Sequence, residues 1–202
     1  MRILLASLGT AGDVHPFLAI GRYLAGRGHR VELISSPVFA DMAAQAGIAF
    51  TGVGAPADYT ECFGHHYVWH PLNGLGVMWR YLARRALEAS YARIAAVCAE
   101  ERCVLLYSPF LMPAARIAQE ALGVPALGAY TAPGLIRSSH PPVTIAQWRI
   151  PRGVPPALCR AAWRRLDRRK MQPLALPDVE RLRGRLGLAP LAQSVFGGWL
   201  HS

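Results

Sequence analysis

Three short apolar runs, separated by amphipathic stretches that end in glycine, constrain this chain more than any other feature. Arg2 to Leu8 is the first run and closes on Gly9; a helical pattern through Phe17, Ile20, Tyr23 and Leu24 then reaches Gly26 and Gly28. Arg30 to Ser35 is the second run, Val38 to Ala46 a short helix stopped by Gly47, and Ile48 to Val53 the third. Apolar runs without polar alternation suit strands buried on both faces, and helices between them are the crossovers that parallel strands need. The order β-α-β-α-β therefore predicts an α/β fold, a doubly wound, Rossmann-like parallel sheet with helices on both faces.

The alternation continues further along. Gly54 to Asn73 lacks clear periodicity and reads as a long aromatic loop carrying Tyr59, Phe63, His65, His66, Tyr67, Trp69 and His70. Leu75 to Glu100 is helical, with Leu87, Tyr91, Ile94 and Cys98 on one stripe. Cys103 to Tyr107 is a fourth strand, Met112 to Leu122 a helix closed by Gly123, and Val124 to Ala129 a fifth strand. Thr131 to Gly153 reads as Pro-rich loop, and helices follow at Leu158 to Lys170 and around Val179, Leu182 and Leu186. Two parts are expected: an α/β domain over 1–150 and a helical extension over 151–202.

Of the 202 residues, 52% are apolar and 17% charged, which excludes a disordered chain. The net charge of +10 comes almost wholly from arginine, since Lys170 is the only lysine. These arginines run from Arg2 to Arg185 without gathering into one patch, so no nucleic-acid partner is expected; an anionic ligand or anionic membrane surface fits the charge better. The basic stretch at Leu158 to Lys170, with Trp163 among its arginines, is either an ordinary solvated helix face or a surface for peripheral membrane contact. Cys62, Cys98, Cys103 and Cys159 form no CxxC pair and read as reduced thiols. The uncharged stretch Cys62 to Trp79 is broken by histidines, Pro71 and Asn73 and cannot span a bilayer. The opening run reads as a strand and not as a secretion signal, so a cytoplasmic location is expected, with the inner membrane face as an extension of it.

In such a sheet, ligands sit outside the carboxyl ends of the strands where the strand order reverses. The loop Gly9-Thr10-Ala11-Gly12-Asp13 is the first candidate. Its glycines permit close backbone approach, and the following helix N-terminus presents N–H groups suited to a phosphate or a developing anion. Only Gly9 and Gly12 fit a dinucleotide fingerprint, although Glu32 stands where a ribose-binding acid would, and no G-K-[ST] follows. Asp13 is either a helix N-cap before Val14 or a chemical group. Ser108, Tyr130 and Thr131 follow the fourth and fifth strands and are further cleft candidates. Phe63, His66, Tyr67 and Trp69 line an apolar acceptor pocket or pack back on the domain. The histidines could also suggest zinc, but they have no cysteine or carboxylate at ligand spacing, and no metal is expected.

With G-T-A-G-D-V-H-P-F-L-A-I at Gly9 to Ile20 and G-H-R-V-E-L at Gly28 to Leu33, the chain resembles the N-terminal, acceptor-binding domain of GT-B glycosyltransferases, nearest the bacterial rhamnosyltransferase, sterol glucosyltransferase and glycopeptide glycosyltransferase group. The likeness is strongest over Arg2 to Gly54. The family's G-[HD]-x-x-P motif falls on Gly12, Asp13 and Pro16, which implies Asp13 as the general base of an inverting hexosyl transfer to a hydroxyl of an apolar or amphipathic acceptor. A carboxylate of pKa about 4 can deprotonate an alcohol of about 16 only late, once the sugar has gained oxocarbenium character. His15, two positions on, is the rival base; Thr10 is implied as a donor-phosphate contact or a turn residue. The resemblance further implies a UDP- or dTDP-sugar as co-substrate, no cofactor, and a C-terminal nucleotide-sugar-binding domain in the same or a separate chain, without which this half would not turn over. A non-catalytic Rossmann-like small-molecule-binding module is the alternative.

Overall fold

The computed structural model describes residues 1–132, 136, 138–145 and 148–201. The chain runs β1 (Arg2–Ala6), α1 (Ala11–Gly26), β2 (Arg30–Ser35), α2 (Ala40–Gln45), β3 (Ala49–Gly52), α3 (Pro56–Gly64), α4 (Gly74–Met78), α5 (Arg84–Glu100), β4 (Cys103–Tyr107), α6 (Pro113–Leu122) and β5 (Ala126–Gly128). These five strands form one parallel sheet in the order β3-β2-β1-β4-β5, with Ile3 opposite Val31 on one side and Val104 on the other. The chain builds outward from β1 to β3, then returns to lay β4 on the free edge of β1. The strand order thus reverses between β1 and β4.

The pleat divides the core. Ile3, Leu5, Val31 and Leu33 point to one face and pack with Val14, Phe17 and Leu18 of α1. Leu4, Ala6 and Ile34 point to the other, beneath α5 and α6. On the first face Gly21 brings α1 close: a β-carbon there would stand 2.9 Å from Leu5 Cδ1 and 3.0 Å from Ile48 Cδ1.

The expected aromatic loop at Gly54 to Asn73 is helical in its first half. Pro56 opens α3 at the position where its missing N–H costs nothing, and the Asp58 carboxylate accepts the Ala55 N–H (2.7 Å). Only Asp58 and Cys62 of its nine residues are buried, too few to mark a helical stripe. The helix expected from Leu75 to Glu100 forms, but a π-helical turn at Trp79–Ala83 joins α4 to α5. Within the expected Pro-rich loop, β6 (Val143–Ile145) and β7 (Trp148–Ile150) pair antiparallel; residues 133–135, 137, 146 and 147 of that stretch lie outside the described ones.

Beyond it, α7 (Pro156–Leu166) and a second π-helical turn (Asp167–Met171) lead into α8 (Gln172–Arg185). Val179, Leu182, Val195, Phe196, Trp199 and Leu200 join the α5-side core. The Trp79 ring meets Phe196 edge-on at 5.5 Å, and its indole N–H donates to Asp178 (3.1 Å). Burying an aromatic side chain such as Phe196 contributes about 1.5–3 kcal/mol, and the segment is further tied to α6 by the Trp199 indole N–H donating to Glu120 (2.6 Å).

Candidate active site

The turn after β1 is fixed from several sides. The Ser7 N–H donates to the Ile34 carbonyl (3.1 Å), the Ser35 hydroxyl to the Ser7 carbonyl (2.7 Å) and the Ser7 hydroxyl to the Asp13 carbonyl (2.9 Å). The helix starts at Ala11, with Thr10 as N-cap, so the expectation that Asp13 caps a helix beginning at Val14 is corrected by one turn. Asp13 is the third residue of α1. Its Oδ2 reaches back to accept the Thr10 N–H (2.8 Å) and the Thr10 hydroxyl (2.9 Å). Gly9 makes room for this: its φ is +133°, and a β-carbon there would collide with the Asp13 carboxylate.

The other carboxylate oxygen faces across the sheet. Asp13 Oδ1 accepts the hydroxyl of Thr131, 118 positions away in sequence, at 2.9 Å. The Ser108 N–H donates to the Ala6 carbonyl (2.9 Å) and the Ala129 N–H to the Tyr107 carbonyl (2.8 Å), so the ends of β1, β4 and β5 converge where the strand order reverses. Ser108 is buried, Tyr130 and Thr131 half-buried, and burial raises the Tyr130 phenol above its ordinary pKa. Gly12 is exposed on the first turn of α1, and a β-carbon there would only touch the Thr10 hydroxyl at 3.4 Å. His15 is exposed one residue further along than Val14, which is buried.

A row of rings runs from Phe39 along α3. Tyr59 of α3 lies edge-on to Phe39 (5.6 Å) and 4.5 Å from Phe63, which lies 5.9 Å from Trp69. The Tyr59 phenol is raised above its ordinary pKa by burial first, then by Cys62 and by the charge of Asp13. Phe63 leans on the core, whereas Trp69 is 69% exposed. His66 stacks on His65 (4.8 Å) and meets Tyr67 at a tilt (3.9 Å), and all three border a cavity of about 530 Å³ that Arg80 and Lys170 also line. Tyr59 joins this row to Phe39, and residue type alone did not distinguish it from the other aromatics. Its spacing of four from Phe63 was the usable signal.

Among the described residues no group of three or more His, Cys, Asp or Glu is placed to hold a metal ion, and no helix is long and apolar enough to cross a membrane. Glu32 does not face a ribose site. Its side chain is buried on the α5 face and accepts Arg93 through both oxygens (2.7 and 2.8 Å), the Thr51 hydroxyl (2.7 Å) and Arg2. Burial pushes its pKa up, but the bonds from Arg93 and Thr51 and the charges of Arg93 and Arg2 outweigh it, and the carboxyl stays below its ordinary value. The cysteines are free thiols; Cys98 Sγ and Cys103 Sγ lie 3.0 Å apart.

A five-stranded parallel sheet whose strand order reverses beside the first strand is a Rossmann-like α/β domain, and its structural neighbours are GT-B glycosyltransferases. Residues 3–138 match the glycosyltransferase family 28 N-terminal domain, and the chain belongs to that family. It is 33% identical over 142 residues to a sterol 3-beta-glucosyltransferase of Eremothecium gossypii, covering 67% of this chain and 11% of that protein. It is 28% identical over 199 residues to the glycosyltransferase GtfE of Amycolatopsis orientalis, covering 95% of this chain and 45% of the relative. The solved glycosyltransferase SsfS6 of Streptomyces sp. SF2575, complexed with thymidine diphosphate, superposes with a TM-score of 0.57 at 16% identity over 96% of this chain and 47% of that one. The chain thus spans less than half the length of these relatives.

Proposed function

We propose that this chain is the acceptor-binding half of an inverting glycosyltransferase that uses a nucleoside-diphosphate sugar, with Asp13 as the general base. The observation that carries the reading is the Asp13 carboxylate, held by Thr10 on one oxygen and Thr131 on the other at the carboxyl end of β1. Two of three accepted bonds fall on Oδ2, so Oδ1 keeps a lone pair for an incoming hydroxyl.

In the proposed reaction the acceptor hydroxyl donates to Oδ1 and attacks the anomeric carbon from the face opposite the diphosphate. The bond to the nucleoside diphosphate breaks as the new C–O bond forms, the configuration inverts, and the proton passes to Asp13 late in the step. The Thr10 N–H is taken by Asp13, and the remaining first turn of α1 at Ala11 and Gly12 is suited to the negative charge that builds on the leaving diphosphate. Tyr59, Phe63 and Trp69 supply an apolar wall for a sterol-like, lipid or natural-product acceptor, consistent with the relatives named above. Thymidine diphosphate bound to SsfS6 supports a nucleoside-diphosphate leaving group, for which a second, donor-binding domain is needed. Half-buried Tyr130 and exposed His15 are assigned substrate contacts, while Ser108 is buried and its N–H ties the end of β4 to β1.

The test is Asp13→Asn in protein that includes the donor-binding half. Turnover should fall about 10²- to 10⁴-fold with acceptor affinity nearly unchanged, since only the proton transfer is lost. Turnover close to that of the unsubstituted protein would remove Asp13 from the role. A matched His15→Asn then reports whether the histidine carries it instead.

A further inference from the structure

On a different face, α7 buries only Cys159 of its eleven residues, and Leu158 (60%) and Trp148 (57%) stand exposed. Between β7 and α7 runs a trough of about 380 Å³ floored by Leu72, Trp148, Ile150, Ala162 and Leu166. Arg165, Arg169 and Lys170 stand at its rim. At Leu72 and Lys170 it shares its wall with the 530 Å³ cavity that holds His65, His66 and Arg80. No carboxylate lines either space.

The charge pattern here differs from that of the neighbouring helices. Arg84 and Arg181 pair with Asp178, Arg85 with Asp58 and Glu61, and Arg185 with Glu88. Among the described residues, Arg80, Arg165, Arg169 and Lys170 pair with no carboxylate. An apolar trough with unpaired cations at its rim complements a molecule that is apolar along its length and negative at one end.

We propose that this groove binds a single-chain anionic amphiphile, its alkyl chain in the trough over Ala162 and Leu166 and its head group at Arg169 and Lys170, where the two cavities meet. Arg165 closes the rim beside the head. The exposed face of Trp148 is covered by the chain. The groove contains neither Asp13 nor its partners, and it meets the acceptor-pocket candidates His66 and Tyr67 only through the adjoining cavity.

The test is calorimetric titration of this chain with decyl and dodecyl phosphate below their critical micelle concentrations. One molecule should bind per chain, with affinity rising about fourfold per methylene added, as burial of apolar surface requires. The double substitution Arg169→Glu/Lys170→Glu should weaken binding at least about tenfold, the worth of a charge-assisted contact. Ala162→Trp, which fills the trough from an exposed position, should weaken it comparably. Both variants change solvent-facing residues, and circular dichroism confirms that they fold.

Dodecyltrimethylammonium binding as tightly as dodecyl phosphate would overturn the proposal, as would affinity indifferent to chain length or to the charge reversal. Binding only to vesicles containing phosphatidylglycerol, with none to the monomeric phosphate, would replace the proposed ligand with a membrane surface. The titration involves no sugar transfer, so its failure leaves the assignment of Asp13 standing, and failure of Asp13→Asn leaves the groove standing.

Discussion

Glu32→Gln removes one negative charge from a carboxylate that is 1% exposed and keeps its shape. In the native protein that charge meets Arg93 through two short bonds, Arg2 and the Thr51 hydroxyl. Breaking a fully buried pair costs about 3–5 kcal/mol, because the surviving partner is left uncompensated. Here the side chains of Arg93 and Arg2 are 34% and 16% exposed, so water recovers part of that, and about 2–3 kcal/mol is expected. For a domain of this size that corresponds to a fall in Tm of about 4–12 °C.

The pH dependence adds a second readout. A carboxyl whose folded pKa lies below its unfolded value contributes stability that is present above the unfolded value and is lost as the pH falls through the folded one. The gap between the parent protein and Glu32→Gln should therefore be full at neutral pH and shrink in acid, below the ordinary carboxylate range. Thermal melts followed by circular dichroism across that range measure it. An unchanged Tm at neutral pH, or a gap that does not shrink on acidification, would refute the ion-pair reasoning. A Glu32→Gln protein of native stability that had lost affinity for a dinucleotide would instead revive the ribose reading.

Four further outcomes can be checked. Gly9→Ala forces a β-carbon toward the Asp13 carboxylate at a φ of +133°, and steady-state assays of protein carrying the donor half should show a fall in turnover approaching that of Asp13→Asn. Thr131→Val deletes the bond to Asp13 Oδ1 and should lower turnover about five- to tenfold, the rate equivalent of one hydrogen bond of about 1–1.5 kcal/mol. Gly21→Val overpacks the contact of α1 with Leu5 and Ile48; denaturant titration should show a loss of about 1–3 kcal/mol. Burial pushes the Cys62 thiol up to about 11 and, first among its causes, the Cys103 thiol up to about 12, so neither should react with iodoacetamide in the native state at pH 8, while both should react after denaturation.

What the sequence made legible was whatever leaves a local trace. Strands buried on both faces are unbroken apolar runs, and β2 and β4 fall at Arg30–Ser35 and Cys103–Tyr107 as read. Helices with a wide apolar stripe and a glycine stop, such as α6 before Gly123, were equally plain. By contrast α3 hides because two buried positions in nine make no periodicity, and β6 and β7 are three residues each. At the candidate site, Asp13 and Gly9 could be read from one loop, but the bond from Thr131 joins positions 118 apart and depends on how β5 is laid beside β4. Glu32 stood at a plausible offset for a ribose contact; the deciding partner, Arg93, sits on a helix far along the chain.

The stretch from Gly54 to Gly74 is anchored to the rest of the molecule through Asp58, Tyr59, Cys62, Phe63 and Val68. Asp58 holds Arg85, Cys62 and Val68 are buried, and Gly74 sits against the Val68 carbonyl so tightly that no side chain fits. Tyr67 and Trp69 project outward between those anchors. Such a segment behaves as a cassette. Keeping Asp58, Cys62, Val68 and Gly74 while exchanging the projecting residues for those of a relative should yield chimeras that fold on an unaltered sheet, so that the rings facing a new molecule can be varied without renegotiating the core.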